Sequence, residues 1–348
     1  MSSENTTDAW VYTDTYPQGL KRGKVIIPSE SEDDDKVIIE VNASALNPVD
    51  IQTMNLKRKT ESEKGKEWGI GCDFSGKVIK AKGFKKGEEV FGISFSAFTP
   101  LRSGTLSKVA ILDASKTCLI NKPASWTNEQ ASALPLVWLT AKKCIEDVKP
   151  FIMKSNDQKE KRVVILGGSS AVGIYTIILA KRLGWKVFTT SSSNNREFLQ
   201  EKLKVDKHID YTKEDVRAKA IEFKPQAVID CVGGTECIGI SGNLRYISIV
   251  GDKTGRETMG GPYTYYDWTA PGYVISQWIR WAKGFIGLGE SYDVVILDPK
   301  REWLEESTTI ISPDSIYIDS VFPFEKADEA FQRLNTGRAK GKVVVNCT

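Results

Sequence analysis

The stretch VVILGGSSAVGIYTIILAKRLGW, residues 163–185, decides how the rest of the chain is read. A short apolar run ends in small residues, and an apolar repeat at helical spacing follows, which reads as strand, turn and helix. Within the turn, Gly168-Ser169-Ser170-Ala171-Val172-Gly173 has the length of a G-x-G-x-x-G element in the context that such an element requires. Gly167 and Gly168 permit a tight turn, and Gly173 lets the helix approach the sheet. The helix N-terminus then offers N–H groups and partial positive charge to a pyrophosphate. Ser170 stands where the middle glycine is usual. Its Cβ would push a pyrophosphate outward, and its hydroxyl would donate to one. A strand–helix turn without a ligand is the alternative.

The pattern repeats outward from this stretch. The strand-like KVFTT (186–190) precedes the helical NNREFLQEKLK (194–204), and KHIDY (207–211) precedes KEDVRAKAIEF (213–223). PQAVIDCVGG (225–234) and LRYISIVG (244–251) follow as strands. Strands alternating with helices across short turns predict a doubly wound parallel sheet, hence an α/β chain. The first third differs. KVIIEVNASALN (36–47) alternates and is β-branched, and SGKVIKAKGFKKGEEVFGI (75–93) is strand, glycine turn and strand, so a compact β-rich unit is expected. Trp126-Thr127 with Glu129-Gln130 marks a helix start ahead of LVWLTAKKCIEDV (136–148). The end, FEKADEAFQRLNTGRAKGKVVVNC (324–347), reads as helix, turn and strand, most economically placed back on the first unit.

Composition narrows the function. The 348 residues carry 48 Lys and Arg against 45 Asp and Glu, and no basic stripe with interleaved aromatics, which argues against nucleic acid. No run of about 18 apolar residues suggests a membrane span. The start MSSENTTDAW has no secretory or presequence pattern, so a cytoplasmic or nuclear location is expected. Six scattered cysteines and one histidine, His208, make a disulfide framework or a two-imidazole mechanism untenable. The acidic run at 29–36 reads as a solvated hairpin tip, and the charged stretch at 56–69 as a loop or a flap over a pocket.

The second strand of the alternating half ends in FTTSSSNNRE (188–197). An NAD site usually places a carboxylate there for the ribose 2′-hydroxyl. Here Ser191, Ser193 and Arg196 stand instead, donors suited to a 2′-phosphate, so the cofactor reads as NADP(H), favoured roughly tenfold to a few hundredfold over NADH. A serine helix cap beside a solvated arginine is the alternative.

ALNPVD, GCDFSG, FKKGEEVFG, EQASALPLVWLTA, GGSSAVG, HIDYTKED, VIDCVGG and GRAKGKVVV, in this order and spacing, resemble the medium-chain dehydrogenase/reductase superfamily. The chain looks most like its zinc-independent quinone oxidoreductase and enoyl reductase branch. The resemblance implies a GroES-like β-barrel catalytic domain built from residues 1–126 and 299–348. A Rossmann cofactor domain at 127–298 is inserted between them, with the active site in the cleft. It places Asn47 near the nicotinamide, Thr140 facing the cofactor and Tyr211 beside the adenosine. It puts Val232, Gly233, Ile249 and Val250 at strand ends flanking the cofactor, with Lys342 in the closing strand. Zinc relatives carry Cys where Asn47 stands and Gly-His-Glu where Gly71-Cys72-Asp73 stand, so no metal is expected here. Many relatives have a tyrosine shortly after the NPVD-like motif, and this chain does not, which leaves solvent as a proton source.

The expected reaction is hydride transfer from NADPH to an enone, enal, enoyl group or quinone, with a small molecule as partner. The Asn47 amide is one candidate donor to the oxygen that gains charge. A catalytically weak cofactor-binding scaffold is the alternative. So is an enoyl-thioester or aldehyde reductase, with Lys57-Arg58-Lys59 meeting a carrier's phosphate. The aromatic-rich residues 260–293 are expected to line the pocket or a homodimer interface.

Overall fold

A computed structural model describes residues 6–27, 35–55, 65–99, 103–154, 160–241, 244–251 and 271–348. The elements run β1 (Thr6–Tyr12), β2 (Leu20–Ile26), β3 (Lys36–Leu46), α1 (Pro48–Asn55), β4 (Trp68–Gly69), β5 (Asp73–Lys80), β6 (Glu89–Ser94), β7 (Val109–Asp113), β8 (Thr117–Asn121), α2 (Asn128–Ser132) and α3 (Pro135–Lys154). They continue with β9 (Arg162–Leu166), α4 (Ala171–Arg182), β10 (Lys186–Ser191), β11 (Lys207–Asp210), α5 (Val216–Phe223), β12 (Ala227–Asp230), β13 (Arg245–Ser248), α6 (Pro271–Phe285) and β14 (Ser291–Val294). Last come α7 (Arg301–Ile310), β15 (Ile318–Pro323), α8 (Ala327–Asn335) and β16 (Lys342–Asn346). Contacts divide the chain into two units, one of Met1–Leu136 with Pro299–Thr348, the other within Val137–Asp298.

The first unit is a β-barrel-like body. One sheet runs β15-β16-β3-β5-β6-β8 with β7 also on β3, and a second runs β2-β1-β4. The C-terminal β16 pairs antiparallel with β3, Val343 opposite Leu46, so the tail closes the sheet that the N-terminal part opened. Alternate side chains of these strands face one core, where Ile39, Phe74, Val90, Val343 and Val345 meet Ala330, Phe331 and Leu334 of α8. That burial is the main stabilising term. At α2, Thr127 and Gln130 form a reciprocal capping box, with Thr127 Oγ1 accepting from Gln130 N at 3.2 Å and Gln130 Oε1 from Thr127 N at 3.0 Å.

The second unit is a six-stranded parallel sheet in the order β11-β10-β9-β12-β13-β14. Numbered from β9, this is 3-2-1-4-5-6, the Rossmann order, and its reversal between β9 and β12 fixes where a ligand can sit. Val164, Phe188, Ile209, Val228 and Tyr246 form its core.

The predicted helix at 194–204 forms differently. It is a 3₁₀ turn at Ser193–Asn195 followed by a π turn at Phe198–Lys202, in which Leu203 N reaches Phe198 O at 3.2 Å. Side chains pull its start out of register, Ser193 toward Asp210 and Asn195 toward Ser169. The acidic tip at 29–34, the loop at 56–64 with Lys57, Arg58 and Lys59, and 252–270 ahead of α6 lie outside the described residues. On α6 itself, Trp278 and Phe285 are exposed.

Replacing Thr127 by Ala should lower the unfolding free energy of the first unit by about 1 kcal/mol, and by Ser should leave it nearly unchanged. Urea titration followed by tryptophan fluorescence checks this.

Candidate active site

The turn between β9 and α4 accepts only glycine at three positions. Gly167 has φ +80°, and a Cβ on it would sit 2.2 Å from Val232 Cγ1. A Cβ on Gly168 would meet Thr189 Oγ1 at 2.1 Å, and one on Gly173 would meet Gly167 O at 2.3 Å. Ser170 caps α4, its Oγ accepting from Gly173 N at 3.1 Å. The residue expected to meet a phosphate through its hydroxyl therefore also closes the helix, and the first N–H groups of α4, at Ala171 and Val172, have no intrahelical acceptor. Ser169 Oγ accepts from Asn195 Nδ2 at 3.1 Å, and Asn195 Oδ1 is buried with no hydrogen-bond partner among the described residues.

Asp230, which the sequence reading did not single out, organises the opposite strand end. Its Oδ1 accepts from Val232 N, Gly233 N and Gly234 N at 2.9, 2.8 and 3.3 Å, and its Oδ2 accepts from Ser248 Oγ at 2.8 Å. Ile249 N bonds Asp230 O at 3.0 Å, and Val250 N bonds Ser248 Oγ at 3.4 Å. One carboxylate thus sets both the Val232–Gly233 and the Ile249–Val250 backbones. Burial pushes its pKa up to about 6, against these hydrogen bonds. The available signal was an acidic residue closing an apolar strand just before Gly-Gly.

At the ends of β10 and β11 the expected donors are partly committed. Ser191 is buried, its Oγ donating to Ser192 O at 2.9 Å and lying 2.8 Å from His208 Nε2. Ser193 bonds Asp210, and Arg196 lies 3.7 Å from Glu214. Tyr211 is exposed, with its N–H on Ser191 O at 3.3 Å. Thr140 is buried on α3 within this second unit.

In the first unit, Asn47 and Lys342 meet directly although 295 residues separate them, Lys342 Nζ donating to Asn47 Oδ1. Lys342 Nζ also lies 3.0 Å from Asp73 Oδ2. Asn47 Nδ2 donates to Asp73 Oδ2 at 3.0 Å and to Ala45 O at 3.2 Å, so both amide hydrogens are engaged. Asp73 Oδ1 accepts from Leu136 N at 2.9 Å, and Asp50 Oδ2 from Asn47 N at 2.7 Å. Cys72 Sγ is 3.6 Å from Asp50 Oδ1. All five side chains are almost wholly inaccessible. These groups lie away from solvent, so burial raises Asp50 to about 7 and also raises Asp73, opposed by Lys342. Among the described residues no cluster of three or more His, Cys, Asp or Glu is placed to hold a metal.

The family model of the alcohol dehydrogenase GroES-like domain matches residues 33–122, and that of the zinc-binding dehydrogenase matches residues 203–345. The chain is 31% identical to a mitochondrial NAD(P)H oxidoreductase of Bos taurus, over 89% of this chain and 81% of that one. It is 30% identical to a 2-methylene-furan-3-one reductase of Solanum lycopersicum, over 99% of this chain and 80% of the relative. The solved structure of a quinone oxidoreductase from Coxiella burnetii superposes with a TM-score of 0.76 at 25% identity, covering 98% of this chain and 99% of that one.

Lys342→Met should destabilise the protein by about 3–5 kcal/mol, because it leaves buried carboxylates without their cation. Asp50 is raised from 3.8 to about 7, so between those values the folded state holds a proton that the unfolded chain has released. Stability should therefore fall as pH rises from about 4 to about 7 and then level. Asp50→Asn should flatten that fall, leaving a smaller slope of the same sign from Asp73, Asp230 and Glu290, whose carboxyls burial also raises. Urea unfolding at a series of pH values reads both effects.

Proposed function

Because the chain belongs to the medium-chain dehydrogenase/reductase superfamily, we propose that this oxidoreductase works without zinc and transfers hydride from NADPH to a conjugated acceptor. The observation that carries the cofactor part is the cradle in which Gly167, Gly168 and Gly173 leave no room for a Cβ, at the N-terminus of α4 and the switch point of a 3-2-1-4-5-6 sheet. When bound, the nicotinamide group supplies the hydride.

The protein's part is binding and orientation. The backbone at Gly168, Ser169, Ala171 and Val172 holds the pyrophosphate. Val232, Gly233, Ile249 and Val250, set by Asp230, flank the cofactor, with Thr140 facing it. Arg196 and Ser193 serve the adenosine ribose, beside Tyr211. Asn47 acts as a positioning residue, since its amide hydrogens are committed to Asp73 and Ala45. Lys342, rather than a metal, supplies the positive charge of that cluster. A conjugated acceptor suits this set because it takes hydride without a Lewis acid. The names of the similar proteins fit. One is a 2-methylene-furan-3-one reductase, and another is a quinone oxidoreductase. Exposed Trp278 and Phe285 on α6, next to the edge strand β14, are where a homodimer would form.

Purified protein should oxidise NADPH in the presence of an enone, enal or quinone, and should lose no activity to a strong chelator. Stoichiometric zinc whose removal abolishes turnover would refute the zinc-free reading. Asn47→Ala should lower kcat at least tenfold while the Kd for NADPH changes by less than about threefold. Unchanged kcat would remove Asn47 from the site.

A further inference from the structure

The end of β10 carries no acidic residue, but its neighbour β11 brings one to the same place. The two strands run parallel with Ser191 opposite Asp210. The Asp210 side chain is 1% accessible. Its Oδ2 accepts from Ser193 Oγ, and its Oδ1 from Thr212 N at 3.0 Å and Thr212 Oγ1 at 2.6 Å. The Ser193 and Thr212 hydroxyls hold this carboxyl well below the usual range, so it is ionised at any physiological pH. Lys213 Nζ donates to Ser193 Oγ at 3.0 Å and lies 3.8 Å from Asp210 Oδ2. Glu214 Oε1 accepts from Asp210 N at 3.0 Å and lies 3.7 Å from Arg196 Nη2.

Donor and acceptor rules then fix the polarity of this corner. A carboxylate only accepts, so the single proton of Ser193 points at Asp210. An ammonium only donates, so Lys213 takes one Ser193 lone pair. What Ser193 has left for a ligand is an acceptor. That matches a ribose 2′-hydroxyl, which donates, and mismatches a 2′-phosphate, which only accepts. Ser191 is no substitute, because its hydroxyl is turned to Ser192 O and His208. The cations at these strand ends that a phosphate could draw on are Arg196 and Lys213, and each lies within 4 Å of a carboxylate. Two cations and two anions cancel, and a 2′-phosphate must draw both cations away from their partners.

We propose that Asp210, seconded by Glu214, is the specificity-determining residue of the cofactor's ribose 2′ position. It spends the Ser193 proton and neutralises the local cations, so the protein uses NADH as well as NADPH. This rests on the dinucleotide reading above. Asparagine at position 210 keeps an oxygen for Thr212 N and turns an N–H toward Ser193. The Ser193 proton is then released outward, and one negative charge is gone. Glutamine at position 214 frees Arg196 without touching Ser193.

The test is the dissociation constant of NADPH and of NADH, titrated against tryptophan fluorescence of the full-length protein. The wild type should bind both within about tenfold of each other. Asp210→Asn should raise the NADPH-to-NADH preference by at least about tenfold, and Glu214→Gln should raise it by about threefold to tenfold. Ser193→Ala should weaken NADPH no more than NADH in the wild-type background, and should weaken NADPH selectively once Asp210 is Asn. A preference that stays within twofold of wild type in both carboxylate variants overturns the proposal, as does selective loss of NADPH in Ser193→Ala alone. If Asp210→Asn does not fold, Glu214→Gln and Ser193→Ala decide by the same criteria. Failure of the wild type to bind either cofactor would bring down the dinucleotide reading itself, and this inference with it.

Discussion

One ammonium group, Lys342 Nζ, sits in a site closed to water with two buried carboxylates around it. Burying either charge alone would be costly, and the two lie 3.0 Å apart, Lys342 Nζ on Asp73 Oδ2. That mutual requirement ties four distant segments together: β16 through Lys342, the end of β3 through Asn47, β5 through Asp73, and the start of α3 through Leu136 N. The chain's last strand is therefore held to its first sheet by an ionic contact as well as by the β16–β3 ladder. Asp50, which accepts from Asn47 N and lies by Cys72 Sγ, answers the same constraint differently, burial raising its pKa to about 7.

The second unit solves a different problem with the same economy. Its parallel strands bring several backbone turns to one edge, and each needs a local device to hold it. Glycines do this at the β9–α4 turn, where any side chain would strike Val232, Thr189 or the Gly167 carbonyl. A single buried carboxylate, Asp230, does it for the two strands across the switch point. These are static devices. On the proposed reading they present N–H groups and small side chains to a dinucleotide and leave the chemistry to the cofactor.

What the sequence made legible was local. The glycine-rich turn, the alternation of strand and helix, and the helix start at Trp126–Gln130 all depend on residues a few positions apart, and all appear where expected. Ser170 was half legible, because a serine before a helix caps it whether or not a phosphate is near. The helix after β10 was misread because its first turn is shaped by Asp210 and Ser169, which are near in space and not in sequence. The same distance hid the acidic character of the corner where β10 and β11 end. Reading β10 alone shows serines and an arginine, and only the register with β11 adds Asp210. The Lys342–Asn47 contact was equally out of reach, since nothing in GKVVV says which carboxylate or amide its lysine will find.

The central claim is hydride transfer from a nicotinamide cofactor to the electron-poor carbon of a conjugated acceptor, with no metal involved. Its most direct measurement uses chelator-treated protein, NADPH deuterated at nicotinamide C4, and a cyclic enone. Mass spectrometry and NMR of the product should show one deuterium at the β-carbon and none at the carbonyl carbon. Deuterium at the carbonyl carbon, or transfer only after zinc is restored, would contradict the account.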